Sequence, residues 1–205
     1  MIGIFGGTFD PIHYGHLRSA LELKELFGLD HVRLIPCAQP VHRNQPMANA
    51  AQRLNMLQLA TQNQTDLIVD TQELERAGGS YTFDTLTALR RDYPNVPLLL
   101  FVGSDAFNEL TTWFRWQELF DLAHIVVITR PNAALNPLNE FFKTRLTTNK
   151  QQLKQLAGHL FICSTNHPYA ISATAIRGMI AAQQNPRFLL PDVVIDYISQ
   201  HQLYF

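Results

Sequence analysis

The chain has 205 residues, 46% of them hydrophobic and 16% charged, with a net charge of −1; that suits one sizeable core, a single domain over residues 1–205, better than two. A near-neutral balance gives no global pull toward nucleic acid or a membrane surface, so a small anionic ligand in a local basic pocket is the better expectation. Cys37 and Cys163 form neither a C-x-x-C pair nor a disulfide framework, and no apolar run approaches the ~18 residues of a membrane span, so a soluble, unprocessed, cytoplasmic protein is expected.

Short β-branched or aliphatic runs recur along the chain: MIGIFG at 1, VRLIP at 32, DLIVDT at 66, PLLLFVG at 97, AHIVVIT at 123 and HLFIC at 159. They read as buried strands. Between them, Leu17 to Phe27, Ala51 to Thr61, Thr82 to Arg91 and Asp105 to Phe120 carry apolar residues at three- and four-residue steps, the mark of amphipathic helices. Toward the end the pattern turns helical, at Thr174 to Gln184 and Asp192 to His201. The Gln-rich 149–156 reads as an exposed helix or connection. Alternating strands and helices predict an α/β fold, a doubly wound Rossmann-like parallel sheet with helices on both faces and a C-terminal helical segment from about 170 to 205 packed on the same sheet. Ligands of such sheets sit at the carboxyl ends of the strands.

The stretch GGTFDPIHYGH, residues 6–16, follows the first strand at such an end. Gly6 and Gly7 permit a tight turn or a close approach of a ligand to the main chain. Asp10 and Pro11 fit the cap and first position of a helix, or a turn one step before it. Free amides at the helix start make an anion site. His13 and His16 share a face in a helical turn, with Gly15 between them leaving room for something bulky. Three readings stand: a zinc pair, which lacks an evident third ligand; two histidines tying down loop backbone; or donors to phosphate oxygens.

ISATAIRGMI, 171–180, reads first as an amphipathic helix capped by Ser172 or Thr174. Arg177 near its start opposes the helix dipole unless an anion also sits there. Asp105, just after the fourth strand, could cap the next helix or accept ribose hydroxyls. Trp113 and Trp116, three apart, could form a buried stripe. Tyr81 and Thr82 could simply begin a helix, and His42 and Arg43 could be an exposed loop.

GGTFDPIHYGH resembles the signature of the H-x-G-H nucleotidyltransferase superfamily, and ISATAIR resembles the I-S-x-T-x-I-R motif of the same superfamily. The first stretch is also similar to the HIGH motif of class I aminoacyl-tRNA synthetases, but those chains are longer and carry a lysine-rich KMSKS loop not found here. RAGGSYTFDTL (76–86), GSDAFNELTTWFRWQEL (103–119) and PCAQPVHR (36–43) resemble segments of the bacterial nicotinate-nucleotide adenylyltransferases. With the first strand and LLPDVVIDYI (189–198) the resemblance spans essentially the whole chain. The phosphopantetheine enzymes of the superfamily are shorter and lack the S-Y-T and tryptophan-rich pieces. Two positions depart from the pattern: Val41 stands where a second proline is frequent, and Ala173 where a second serine is.

The resemblance implies transfer of AMP from ATP to nicotinate mononucleotide in NAD biosynthesis. His13, His16 and Arg177 would serve the phosphates. Gly6, Gly7, Thr8, Phe9, Gly103, Asp105, Ile171, Ser172 and Thr174 would hold ATP, with Asp105 on the ribose. His42 and Arg43 would bind the mononucleotide phosphate, the amides of Tyr81 and Thr82 its carboxylate, and Trp113 would stack on the pyridine ring. Mg2+ would arrive with ATP and no resident metal ligands are implied; the expected partners are ATP and nicotinate mononucleotide, without nucleic acid or membrane. A different phosphate acceptor, such as nicotinamide mononucleotide or phosphopantetheine, and a sensor that holds ATP without turnover remain alternatives. The sequence leaves monomer and homo-oligomer open.

Overall fold

A computed structural model describes residues 1–39, 45–76, 78–129, 134–164 and 171–205. In chain order the elements are β1 (Ile2–Gly7), α1 (Tyr14–Phe27), β2 (His31–Pro36), α2 (Ala50–Thr61), β3 (Leu67–Val69), α3 (Gln72–Glu75), α4 (Thr82–Asp92), β4 (Leu98–Gly103), α5 (Ser104–Asn108), α6 (Leu119–Leu122), β5 (His124–Thr129), α7 (Glu140–Lys143), β6 (Leu146–Thr147), β7 (Leu160–Ser164), α8 (Ala173–Ala181) and α9 (Asp192–Gln200). The strands form one parallel sheet in the order β3-β2-β1-β4-β5-β7-β6. All six predicted strands are present; two-residue β6 and the four-residue α3 and α7 are too short to leave a periodic signal.

Because successive strand residues face opposite ways, each buried strand feeds two cores. Gly3 and Phe5 of β1, Leu99 and Phe101 of β4, and Val126 and Ile128 of β5 face α1, α2, α8 and α9. Ile2 and Ile4, Leu98, Leu100 and Val102, and Ile125 and Val127 face α4 to α7. Ile176 and Ile180 of α8 and Val194 and Ile198 of α9 lie in the first of these cores, so the helical tail packs on the sheet as predicted. Gly3 is required by close packing: a Cβ there would stand 2.7 Å from the Phe101 ring and 2.8 Å from Leu29.

The helix expected over Asp105 to Phe120 is broken. α5 ends at Asn108, single 3-10 turns follow at Leu110–Thr112 and Trp116–Glu118, and α6 begins at Leu119. Trp113 leaves in an extended conformation (φ −74°, ψ 148°), and Arg115 takes a left-handed one (φ 53°) with its guanidinium 3.8 Å from the centre of the Phe83 ring. The apolar spacing that suggested a helix is met by turns instead, since Phe107, Leu110, Leu119 and Phe120 all reach the same core. Segment 149–156 is likewise more than an exposed connection, because its 3-10 turn buries Leu153 completely. No helix of the described residues is long and apolar enough to cross a membrane.

The strand order reverses direction between β1 and β4. Their pairing covers only Ile2–Ile4 against Leu98–Leu100, whereas β1 stays paired with β2 as far as Gly7 and β4 with β5 as far as Gly103. The last three residues of each strand therefore part from one another while remaining anchored on their outer sides, and a crevice opens between them at the switch point.

At the start of β5, His124 is completely buried. Its Nδ1 accepts the His159 amide at 3.1 Å and its Nε2 lies 2.9 Å from the Gln155 carbonyl, which assigns the neutral Nε2–H form. Burial, opposed by the Gln155 carbonyl and helped by His159 and Arg90, lowers its pKa from the ordinary 6.5. The unfolded chain then takes up the proton first, so this contribution to stability is complete above pH 6.5 and is lost as the pH falls through the folded value. Urea unfolding titrated downward from pH 7.5 is expected to show stability falling by at most about 1.4 kcal/mol per pH unit from this one group. His124→Gln should flatten that part of the profile; an unchanged slope would show that other groups carry it.

Candidate functional site

The crevice opens into a cavity of about 1150 Å3 at the carboxyl ends of β1 and β4, bordered by Gly6, Gly7, Gly103, Asp105, Trp113 and Arg177 among others. A Cβ placed on Gly6 or Gly103 would meet nothing within 4 Å. At both strand ends the main chain itself is thus open to a ligand. Gly7 has a different reason: its Cβ would lie 2.8 Å from the Phe9 ring.

His13 is the N-cap of α1, its carbonyl accepting the amides of His16 at 2.9 Å and Leu17 at 3.2 Å. Asp10 and Pro11 therefore belong to the turn before the helix. The spacing of three does bring the two imidazoles together, stacked with ring centres 3.7 Å apart and planes at 21°. His16 lines the cavity and His13 stands behind it, 2% exposed. Phe9, in a left-handed conformation (φ 50°) that bulky residues rarely adopt, sends its buried ring edge-on against His16 at 5.2 Å. Only its main chain is left to meet a ligand. The room above Gly15 is filled from within, since a Cβ there would be 2.9 Å from His13 Nδ1 and 3.4 Å from Ile171. Gly15 makes space for His13, not for a bulky ligand.

Arg177, in the second turn of α8, lines the same end of the cavity. Its Nη1 donates to the Asp10 carbonyl at 2.6 Å and its Nη2 to Thr174 Oγ1 at 3.3 Å. Thr8, Ala173 and Thr174 also border the cavity. Ser172 caps α8 by accepting the Ala175 amide at 3.1 Å, and Ile171 packs against the core; neither borders the cavity.

On the other side, Asp105 sits in the first turn of α5 and faces the cavity beyond β4. Tyr81 is the N-cap of α4, and Tyr81, Thr82, Trp113 and Phe114 line the far end, with the Tyr81 and Phe114 rings 5.1 Å apart. Trp116 takes the structural role, edge-on to Phe141 at 4.9 Å. His42 and Arg43, and with them Val41, lie outside the described residues. Among those described, no three His, Cys, Asp or Glu side chains gather as a metal cluster.

Three residues that organise the site, Arg53, Ser80 and Glu73, escaped the sequence reading, and Asp10 reads there only as a cap or turn residue. Arg53 is 1% exposed and donates to the carbonyls of Thr8 at 2.7 Å, Ala38 at 3.2 Å and Ala48 at 3.2 Å. It ties together the loops after β1 and β2 and the start of α2. The signal was there, an arginine in helical phase with buried Met56 and Leu57. Asp10 caps no helix; its carboxylate accepts the amides of Met47 at 2.9 Å and Ala48 at 3.1 Å. Ser80 Oγ accepts the amides of Ala38 and Gln39, fastening the loop after β2 to the approach of α4. Glu73, its carboxyl pushed up by burial, accepts the Thr85 hydroxyl at 2.7 Å on the inner side of that approach.

The chain matches the family model described as cytidylyltransferase-like over residues 4–179. A "Probable nicotinate-nucleotide adenylyltransferase" of Pseudomonas aeruginosa is 46% identical over 208 aligned residues, covering 99% of this chain and 96% of that one. Its counterpart in Aeromonas salmonicida is 44% identical, again over 99% and 96%. Among solved structures, the fold is similar to that of the Plasmodium falciparum nicotinic acid mononucleotide adenylyltransferase complexed with NaAD, with a TM-score of 0.75 at 19% identity over 99% of this chain and 96% of that one.

Arg53→Met keeps most of the volume but removes the donor of three carbonyls at once, one of them buried and two half-buried. Each unmet acceptor costs about 1–3 kcal/mol before relaxation, so a total loss of about 2–4 kcal/mol is expected in urea or thermal unfolding. A loss below about 0.5 kcal/mol would show that the loops hold without it.

Proposed function

The chain belongs to the cytidylyltransferase-like family and, within it, to the nicotinate-nucleotide adenylyltransferases, and on that premise we propose that it transfers AMP from ATP to nicotinate mononucleotide, giving nicotinate adenine dinucleotide and pyrophosphate in NAD biosynthesis. The observation that carries this reading is the continuity of the cavity. Imidazole and guanidinium at one end share a single space with a tryptophan and a helix N-terminus at the other. Ordinary small-molecule pockets run to about 300–1,000 Å3, and this one has room for two nucleotides.

The nucleophile in this scheme is a phosphate oxygen of the mononucleotide. A phosphate monoester has its second pKa near about 6, so it is mostly dianionic at neutral pH and needs no general base. What the protein supplies is alignment of two anions and charge stabilisation on the α-phosphate and the departing pyrophosphate. His16 and Arg177 reach the phosphates directly, and His13, stacked behind His16, sets its ring plane. Gly6, Gly7, Thr8 and Phe9 offer main chain to the nucleotide, while Gly103 lets it pass close to β4 so that Asp105 can accept its ribose hydroxyls. Ser172 and Thr174 act from the start of α8; the Ser172 oxygen is taken by Ala175, which leaves its proton to donate. Ile171 supports His13 through Gly15. The N-terminal amides at Tyr81 and Thr82 meet the nicotinate carboxylate, Trp113 stacks on the ring, and His42 with Arg43 hold the mononucleotide phosphate.

Magnesium enters with ATP as part of the substrate, neutralising phosphate charge. Asp10, the carboxylate nearest Arg177, already accepts donors on both oxygens, which leaves the ion to phosphate and water ligands. The cysteines fit a reducing, cytoplasmic setting: Cys163 is in β7 and Cys37 follows β2, four strand positions away, roughly 19 Å at the usual strand spacing and far beyond disulfide reach.

Release of pyrophosphate from ATP with each candidate acceptor tests the reaction. Turnover with nicotinate mononucleotide well above that with the amide or with phosphopantetheine is expected; no release with any acceptor would make the chain a nucleotide sensor. His16→Ala should leave the fold intact and lower kcat by ~10²-fold or more, as loss of a transition-state donor does. Near-normal turnover in the folded variant would remove His16 from the mechanism. Trp113→Ala should raise KM for the mononucleotide while ATP binding survives; a fall in ATP affinity instead would place the pyridine ring elsewhere.

A further inference from the structure

Arg177 raises a question of electrostatics. A guanidinium beside a buried carboxylate normally closes into a bidentate pair, and its charge is then spent within the protein. Here Arg177 Nη1 is 3.8 Å from Asp10 Oδ2, while the same nitrogen donates to the Asp10 carbonyl at 2.6 Å. The carboxylate is instead filled by three neutral donors: the amides of Met47 and Ala48, and the hydroxyl of Tyr204, which reaches Oδ1 at 2.6 Å, the shortest of the three. Tyr204 lies beyond α9, some 194 residues along the chain from its partner, and both are 6% exposed.

We propose that Tyr204 is a positioning residue for the transfer step: its hydroxyl saturates the Asp10 carboxylate and so keeps Arg177 turned toward the substrate phosphates. Removing that hydroxyl leaves a buried carboxylate one donor short, and a carboxylate in that state draws in the nearest available cation. Among the described residues, two cations face it. Arg53 is attracted to Asp10, but its donors are committed to the carbonyls of Thr8, Ala38 and Ala48. Arg177, 24% exposed and bordering the cavity, already donates to the Asp10 carbonyl and needs only a small turn to reach the carboxylate, 3.8 Å away. Burial and the neighbouring carboxylate push the Tyr204 phenol well above its ordinary range, so it stays a protonated donor throughout the working pH range. The last residues of the chain thereby govern how much of an arginine's charge reaches a site built at the first strand.

The inference rests on Arg177 serving the phosphates, and the test separates the two. In a pyrophosphate-release assay run well below the melting temperature, Tyr204→Phe is expected to lower kcat about tenfold, the effect of one displaced charge-assisted contact, with KM for nicotinate mononucleotide changed less than twofold. In an Asp10→Asn background, where no carboxylate competes for Arg177, the same substitution should change kcat less than twofold. An equal fall in both backgrounds, or none in either, overturns the proposal. A second readout needs no turnover. In 15N-arginine-labelled protein the Arg177 guanidinium signal, assigned by its loss in Arg177→Lys, should shift on Tyr204→Phe and stay in place when Asp10→Asn is also present. A signal unmoved by Tyr204→Phe also overturns it. If Arg177→Lys leaves turnover intact, the phosphate role of Arg177 fails, while the spectroscopic arm still decides whether Tyr204 holds Asp10 away from it.

Discussion

The loop from Thr8 to His13 runs without a regular hydrogen-bonding partner between β1 and α1, and two buried charges hold it in place. Main-chain groups that leave a sheet and are buried must find other partners or the fold loses stability. Arg53 meets the Thr8 carbonyl from one side, and the Asp10 carboxylate gathers two amides from the approach to α2 on the other. Neither charge forms a close ion pair with the other; each is satisfied mostly by neutral dipoles. That is the less costly way to bury a charge, because the field of each is absorbed where it arises. Held this way, the loop can keep Phe9 in its left-handed conformation, and Phe9 in turn supports the edge of His16.

The sheet supplies the rest of the geometry by what it omits. β1 and β4 stop pairing after Ile4 and Leu100, yet each remains laced to its outer neighbour to the last residue. Two glycines, Gly6 one residue before the end of β1 and Gly103 at the end of β4, leave open space above those parting strands. The cavity is therefore framed by rigid main chain on both walls, with helices α1, α5 and α8 starting around it. Helix starts bring amides and partial positive charge, so the field at the crevice favours phosphate before any side chain is counted.

Much of this was readable in the residues. Strands of four or more apolar residues and helices with long apolar stripes left periodic signals, and their alternation implies a parallel sheet with right-handed crossovers, though not the order of its strands. The stacking of His13 and His16 follows from a spacing of three on a helix. The region from Asp105 to Phe120 misled because turns can place Phe107, Leu110 and Leu119 on one core as well as a helix can, and nothing in the spacing marks Arg115 as left-handed. Gly15 misled for a related reason: sequence locates a missing side chain but not the neighbour that fills its place. Asp10 meets Met47 and Ala48 across 37 and 38 residues, Arg53 meets Thr8 across 45, and Tyr204 meets Asp10 across 194, and no local pattern carries such a partnership.

The division of labour in the site follows from what the reaction demands. Joining two phosphates asks for cationic and hydrogen-bonding groups that stay available when the substrates arrive, and a protein interior tends to consume such groups in its own ion pairs. The rings of Phe5, Phe9 and His13 orient His16. Arg177 escapes a close ion pair because a neutral carbonyl, not a carboxylate oxygen, receives its shortest hydrogen bond. In the proposed reaction, recognition of a flat ring and a carboxylate would fall at the opposite end to an indole face and helix amides, groups whose character does not depend on protonation. On that proposal chemistry and selectivity fall at different ends of one cavity, so that substitution at Trp113 and substitution at His16 would disturb different terms of the same free-energy profile.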